Sequence, residues 1–279
     1  MRPLIVGVVA ALLCATTLQK PRLVVREAEL HPLLLQPGLA RTMSKSQLPL
    51  LIDLYWLRVL NAIGEEDSES KNRALYYYGE LLTDLDPRFY QAYLYIALNV
   101  PYLVERGVYV NGHLAEKLLR KGLKQYPDDM RMSIVLGYVL FSMERKFLEA
   151  AQHYRHLATV PGAPPWVAPL STRLFAQGGK PLEGLDFVEE LLENVDDPML
   201  RQEFEQRREQ LLLEAFLQRV DAAVAQFKES RGRLPADVGE LVREGFYSGA
   251  LEDDAGRPVF LRPDGRAATS HERRLEIYE

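Results

Sequence analysis

The chain has 279 residues, 47% apolar and 26% charged, with a formal net charge of −5. That length allows one large domain or two smaller ones, and the balance is ordinary for a globular protein. The mild acidity argues against the basic stripe of a nucleic-acid surface, and the single cysteine, Cys14, excludes an intramolecular disulfide and any cysteine-built metal site.

The first 22 residues read as a membrane anchor or signal segment. Met1-Arg2 is a short basic start, Pro3 to Leu18 is almost free of polar groups, and Gln19-Lys20-Pro21-Arg22 ends the run. As a helix the apolar part spans roughly 24 Å, a little short of the roughly 30 Å hydrocarbon core. An uncleaved single anchor is the preferred reading. A cleaved signal peptide fits the same length, with Ala10, Ala11 and Ala15 near a cleavage point. Lipidation at Cys14 is opposed by the bulk of Leu13. All three put the bulk of the chain outside the cytoplasm. The expected location is therefore the inner membrane, with the bulk of the chain in the periplasm, although Lys20, Arg22 and Arg26 on the far side oppose that orientation.

Residues 23–47 read as a juxtamembrane connector. Pro32, Pro37, Gly38 and Pro49 break any long helix, and Leu33-Leu34-Leu35 is expected to dock on a neighbouring surface. A first amphipathic helix is predicted over 48–63 from Leu50, Leu51, Leu54, Leu57 and Leu60, closing on Gly64 as a left-handed cap. Its partner runs over 71–85 with Ala74, Tyr78, Leu81 and Leu82 on its face. A second pair occupies 86–127, with Tyr93, Ile96 and Ala97 on one helix and Ala115, Leu119, Gly122 and Leu123 on the other. Its turn is long: Pro101 and Gly107 to Gly112 predict an extra helical turn or a short extended piece. The third pair carries Leu136, Gly137, Leu140 and Phe141, then Ala150, Tyr154, Leu157 and Ala158. The fourth carries Val167, Leu170, Leu174 and Phe175, then Leu182, Leu185, Val188, Leu191 and Leu192 after a Gly178-Gly179 turn.

A long helix follows over 199–230, with a charged, solvated first half and an apolar stripe from Leu211 to Phe227. Residues 231–279 form a small cap. A short helix is expected over 236–242, a strand over 258–261, a turn at Pro263-Asp264-Gly265 and a return strand over 267–270. The expected fold class is all-α: a helical-repeat solenoid over 48–198, with an N-terminal membrane helix and a C-terminal α+β cap.

Four helix pairs at a near-constant period are the mark of a repeat array. Tyr93, Ile96, Ala97, Ala115, Leu119, Gly122 and Pro127 resemble the tetratricopeptide signature, with Leu119 where an aromatic is usual and a longer turn. Leu136, Gly137, Ala150, Tyr154, Ala158 and Pro161 repeat it. The first and fourth pairs are degenerate, as terminal repeats are. Through Leu54-Tyr55-Trp56-Leu57-Arg58, Leu85-Asp86-Pro87-Arg88-Phe89, Pro161 to Pro165, Asp197-Pro198 and residues 232–270, the chain resembles membrane-anchored tetratricopeptide proteins of deltaproteobacterial type. That resemblance implies envelope partners, in type IV pilus assembly or in secretion and ABC-export components. The cap, through Leu234-Pro235, Leu241-Val242, Gly245 and Asp254-x-Gly256, resembles the end of major pseudopilins, whose equivalent loop binds calcium; six or more oxygen ligands are not evident here.

Candidate chemistry is sparse. Glu149, His153 and His156 lie a helical turn apart and form a weak three-ligand metal face, read first as surface residues. Gly178-Gly179-Lys180 lacks the upstream glycine and following hydroxyl of a phosphate loop. Asp128-Asp129 and Asp253-Asp254 are read as capping pairs. No cofactor and no catalytic residue is expected. Aromatic side chains crowd the first two pairs, and Trp56, Tyr90, Tyr93 and Tyr102 are the expected partner-binding groove, with Tyr90 exposed and Tyr93 buried. The expected function is a membrane-tethered scaffold for an envelope protein. The alternatives are a metal-dependent envelope enzyme on the His/Glu face and a cell-wall-binding module.

Overall fold

Short polar side chains and prolines set the helix starts. Ser68 Oγ accepts the N–H of Lys71 at 3.3 Å, Asp129 that of Met132 at 2.7 Å, Asp197 that of Met199 at 2.8 Å and Asp237 that of Glu240 at 2.7 Å. Each satisfies an otherwise orphaned first-turn donor. Pro37, Pro181 and Pro198 stand first in their helices and Pro49 second, where a missing N–H costs nothing. Pro37 thus opens an eight-residue helix within the expected connector, and Pro49 stands second in the helix expected from Leu48.

The computed structural model describes residues 34, 36–271 and 275. Its helices are α1 (Pro37–Ser44), α2 (Leu48–Ile63), α3 (Glu69–Leu85), α4 (Tyr90–Asn99), α5 (Gly112–Gln125), α6 (Met130–Tyr138), α7 (Phe147–Ala158), α8 (Val167–Gln177), α9 (Pro181–Asn194), α10 (Pro198–Arg231) and α11 (Val238–Arg243). Two small antiparallel hairpins interrupt them, β1 (Tyr102–Glu105) with β2 (Val108–Val110) and β3 (Phe260–Leu261) with β4 (Ala267–Ala268). The fold is mostly helical, in agreement with the all-α class.

From α2 to α10 each helix packs against the next. Contacts also skip one element, from α2 to α4, α3 to α5 and α8 to α10. One apolar core runs from Ala40 in α1 to Phe175 in α8. A second joins the C-terminal half of α10 to α11 and the β3–β4 hairpin. Close approach of paired helices rests on glycine. A Cβ at Gly122 would lie 2.7 Å from the sulfur of Met132 and 3.0 Å from Tyr93, and one at Gly137 2.6 Å from Cε1 of Tyr154.

Three local features refine or correct the expectations. The lengthened turn of the second pair is the β1–β2 hairpin, fastened at its base: Asn72 Nδ2 donates to Pro101 O at 3.3 Å, and Asn111 Nδ2 to Glu69 O at 3.2 Å. Asn111 takes φ 65°, a left-handed conformation that asparagine tolerates. Gly64 closes α2 with φ −78°, a right-handed end and not the left-handed cap expected. The end of α6 widens into a π turn over Val139–Met143, where Glu144 N–H reaches Val139 O at 3.0 Å.

The expected membrane placement is corrected. Among the described residues no helix is long and apolar enough to cross a membrane. Residues 1–22, where the anchor was placed, lie outside the described residues, as do residues 23–33 of the connector. The inner-membrane anchor and the periplasmic location drawn from it are withdrawn.

Candidate protein-interaction surface

Helix α4 turns Ala92, Tyr93, Ile96 and Ala97 into the core. Its opposite face presents Tyr95 and Leu98, with Tyr95 53% exposed. Four residues on, β1 begins, and Leu103, Val104 and Val108 of the hairpin are equally open, Val104 at 55%. Helix α2, which touches α4, buries Tyr55 and Val59 and leaves Leu50, Leu54 and Leu57 outward at helical spacing. These leucines had been expected to form the inner face of α2. Further along, Tyr138 on α6 and Trp166 before α8 are also exposed. Among the described residues neither strand of the hairpin pairs with a third.

The residues expected to line the groove do other work. Tyr93 is 1% exposed, packs beneath Gly122 and donates its hydroxyl to Pro87 O at 3.2 Å. Tyr90, expected exposed, is half-buried; its hydroxyl donates to Asp129 at 3.3 Å and its ring meets Tyr126 edge-on at 5.6 Å. Burial first, and then the Asp129 carboxylate, push the Tyr90 phenol up from its ordinary value. Trp56 is half-buried with its edge against Phe89, 5.0 Å between centroids. Tyr102 is half-buried in β1 opposite Val110. Tyr93, Tyr90 and Trp56 secure junctions between elements. Sequence reasoning missed Tyr95 and Leu98 as the outward pair; the signal was their spacing from Tyr93 and Ile96, two positions on and so across the helix.

The His/Glu face does not converge. Glu149 pairs with Arg120, which also holds Glu116 at 2.8 Å, and Lys146 holds Glu116 at 2.6 Å. This network joins α5 to α7. Burial pulls the Glu116 carboxyl up, but the bonds from Lys146 and Arg120 outweigh it and hold the carboxyl below its usual value. His153 Nε2 lies 2.8 Å from Ser133 O, so the neutral ring donates there, while His156 is exposed. Among the described residues no group of three or more His, Cys, Asp or Glu is placed to hold a metal ion. In the cap, Asp253 accepts from the N–H groups of Ala255 and Arg257, each at 3.0 Å, and pairs with the Arg257 side chain at 2.7 Å, which accounts for its carboxylate without calcium.

His153 makes stability depend on pH. Burial is the main cause that lowers its pKa, opposed by its bond to Ser133. The unfolded chain therefore takes up the proton first. The contribution is intact above the unfolded value of roughly 6.5 and is lost as pH falls below it toward the folded value. The unfolding temperature should drop between pH 7.5 and 5.5 more steeply in the wild type than in His153→Gln. Parallel pH profiles of the two proteins would refute this.

A concavity of about 970 Å³ lies where α10 meets the α8–α9 turn and the loop of residues 250–257. Leu212, Leu213 and Phe216 form its floor, and Lys180, Glu183, Glu209, Arg219, Glu252 and Arg257 stand among its walls. Among the described residues its lining has no Ser, Thr, Cys or His. It is suited to holding an apolar group within a charged rim. The Arg233–Glu240 pair beside α11 is structural: Glu240 accepts from Arg233 at 2.6 Å and from Ala236 N–H at 2.6 Å, and these bonds hold its carboxyl down at about 2.

Fold and surface together define a mostly helical protein with an open apolar face. No family model, curated protein or solved structure matches the chain.

Proposed function

We propose that the chain is a scaffold of tetratricopeptide type that binds another polypeptide. The observation that carries this reading is the outward apolar face shared by α4 and the β1–β2 hairpin, with Tyr95, Leu98, Leu103, Val104 and Val108 following one another along the chain. Exposed apolar groups concentrated in this way mark interaction surfaces, and tyrosine offers contact area at low entropic cost. The repeat type is supported by first helices that begin at Leu48, Tyr90, Met130 and Val167, roughly forty residues apart, within the range of helical repeats. It is supported as well by the contacts that skip one helix and by the glycine-on-aromatic packing of Gly122 and Gly137. The partner class implied by the sequence resemblance is a component of pilus, secretion or export machinery.

The test is comparative affinity purification from the native host. The wild type should recover a partner in fixed stoichiometry. Leu98→Glu with Val104→Glu should lose it, with unfolding changed by no more than about 0.5 kcal/mol per site because both positions are solvent-facing. Equal recovery by the two proteins would sink the reading.

A further inference from the structure

Helix α2 carries a second pattern on the face turned away from the core. Tyr55 and Val59 point inward, and Arg58 leans over the Tyr55 ring at 5.6 Å. On the opposite face Leu50, Leu54 and Leu57 are each more than half exposed, and Asn61 continues their line, exposed as well. The four positions are spaced by four, three and four residues, which is the d-a-d-a order of a coiled-coil seam. An α-helix drifts only about 20° per heptad against that repeat, so over the length of α2 they stay in one stripe.

In this register Asp53 is the g residue and Arg58 the e residue, one on each flank of the stripe, and both are exposed. Two-fold symmetry fixes what each flank meets. In a parallel pair the g flank of one helix lies beside the e flank of the other, so Asp53 of each copy faces Arg58 of the other copy. In an antiparallel pair like flanks meet, setting Asp53 against Asp53 and Arg58 against Arg58. Charge therefore selects the parallel arrangement. Asn61 agrees with it: a lone asparagine at an a position fixes register and favours two strands, because its amide pairs with its own copy. Leu60, exposed at the second g position, widens the apolar seam.

We propose that α2 is the seam of a parallel two-fold dimer of this chain, with Leu50, Leu54 and Leu57 interlocked, Asn61 pairing across the axis and two Asp53–Arg58 ion pairs on its flanks. The helix is already folded on the array, so pairing does not have to order it. A 16-residue helix offers less than the about 800 Å² per partner of a standard interface, so the dimer is weak, with a Kd on the order of 10 μM. The seam is distinct from the α4–hairpin surface, and a dimer presents that surface twice.

Sedimentation velocity on the full chain, from about 1 to about 200 μM, reads the association. The wild type should move from the monomer mass to twice that mass. Leu54→Glu with Leu57→Glu should stay monomeric with its helical spectrum intact, since both positions face solvent in the single chain. Asp53→Arg alone and Arg58→Asp alone should each weaken association about fivefold, and an equimolar mixture of these two variants should recover it as a heterodimer, every flank contact being opposite in sign again. Asn61→Leu should tighten association about tenfold. Leu98→Glu with Val104→Glu should dimerise as the wild type does, so failure of this proposal and failure of the partner-binding reading are separately visible. A wild type that stays monomeric at every concentration overturns the proposal, as does association that survives Leu54→Glu with Leu57→Glu. Recovery on mixing Asp53→Arg with wild type, and not with Arg58→Asp, overturns the parallel orientation.

Discussion

Gly137→Val should destabilise the protein by about 3 kcal/mol, at the upper end of what overpacking costs. Gly137 lies in α6 where α7 crosses it, and any Cβ there would come within 2.6 Å of Cε1 and 2.7 Å of Oη of Tyr154. The ring has nowhere to go. Tyr154 is 1% exposed, donates its hydroxyl to Ile134 O at 2.9 Å and is met edge-on by Trp166 at 6.1 Å. Valine therefore forces either the loss of that hydrogen bond or a separation of the helices. Thermal unfolding should shift down by roughly 6–12 °C. The cause is checked by a double-mutant cycle. In a Tyr154→Leu background the same substitution should cost at least about 1 kcal/mol less, since the two sites are in contact. An equal cost in both backgrounds would show that Gly137 acts through the backbone alone.

That contact also shows why so much of the fold is legible in the sequence. Helix periodicity, polar caps and glycines at crossing points are local signals, and they agree with one another. The spacing places helices over 48–63 and 199–230; the structure has them at Leu48–Ile63 and Pro198–Arg231. Asp197 and Asp237, short carboxylates before an apolar run, cap as such residues do. The β1–β2 hairpin was less legible. Its strands are four and three residues long, too short for alternation to distinguish them from an extended loop. What defines it is tertiary: the bonds from Asn72 and Asn111 at its base.

The surface was harder to read for a related reason. An apolar stripe at helical spacing says that a helix has a face, not what that face meets. In α2 the leucine stripe of Leu50, Leu54 and Leu57 is the more regular pattern, yet the core takes Tyr55 and Val59. Among the described residues the neighbours of α2 lie on the side of Tyr55 and Val59, and these interleaved aromatic and β-branched residues reach them. The aromatics that drew attention, Trp56, Tyr90 and Tyr93, are large enough to span the gap between helices and so became junctions. The histidine-glutamate spacing on α7 failed as a metal site because each group had a nearer partner, Arg120 for Glu149 and the Ser133 carbonyl for His153.

Tyr93→Asp should be the most damaging single change, costing about 5 kcal/mol at neutral pH. Removing a fully buried aromatic costs about 3–5 kcal/mol by itself, and Tyr93 is 1% exposed, packed against Gly122 and 6.4 Å from the ring of Tyr126. The new carboxylate would add an unpaired buried charge. Its surroundings make that worse, because Asp84 and Asp86 already act on this position. Lys121 does not help, since its ammonium is taken by Asp84 at 2.7 Å. Burial and like charge both raise a carboxyl pKa in the folded state, so the introduced Asp would take up its proton more readily folded than unfolded. The variant's deficit should therefore be full well above that folded value and shrink as pH falls toward 4.5. Tyr93→Phe is the control: it keeps the ring, loses the hydroxyl's bond to Pro87 O and its interaction with Thr83, and should cost about 1 kcal/mol at either pH. Chemical denaturation of the three proteins at pH 7.5 and 4.5 separates the contributions. A deficit in Tyr93→Asp that equals that of Tyr93→Phe, or that does not narrow at low pH, would mean that the ring stands at a hydrated edge and not in the core between α4 and α5.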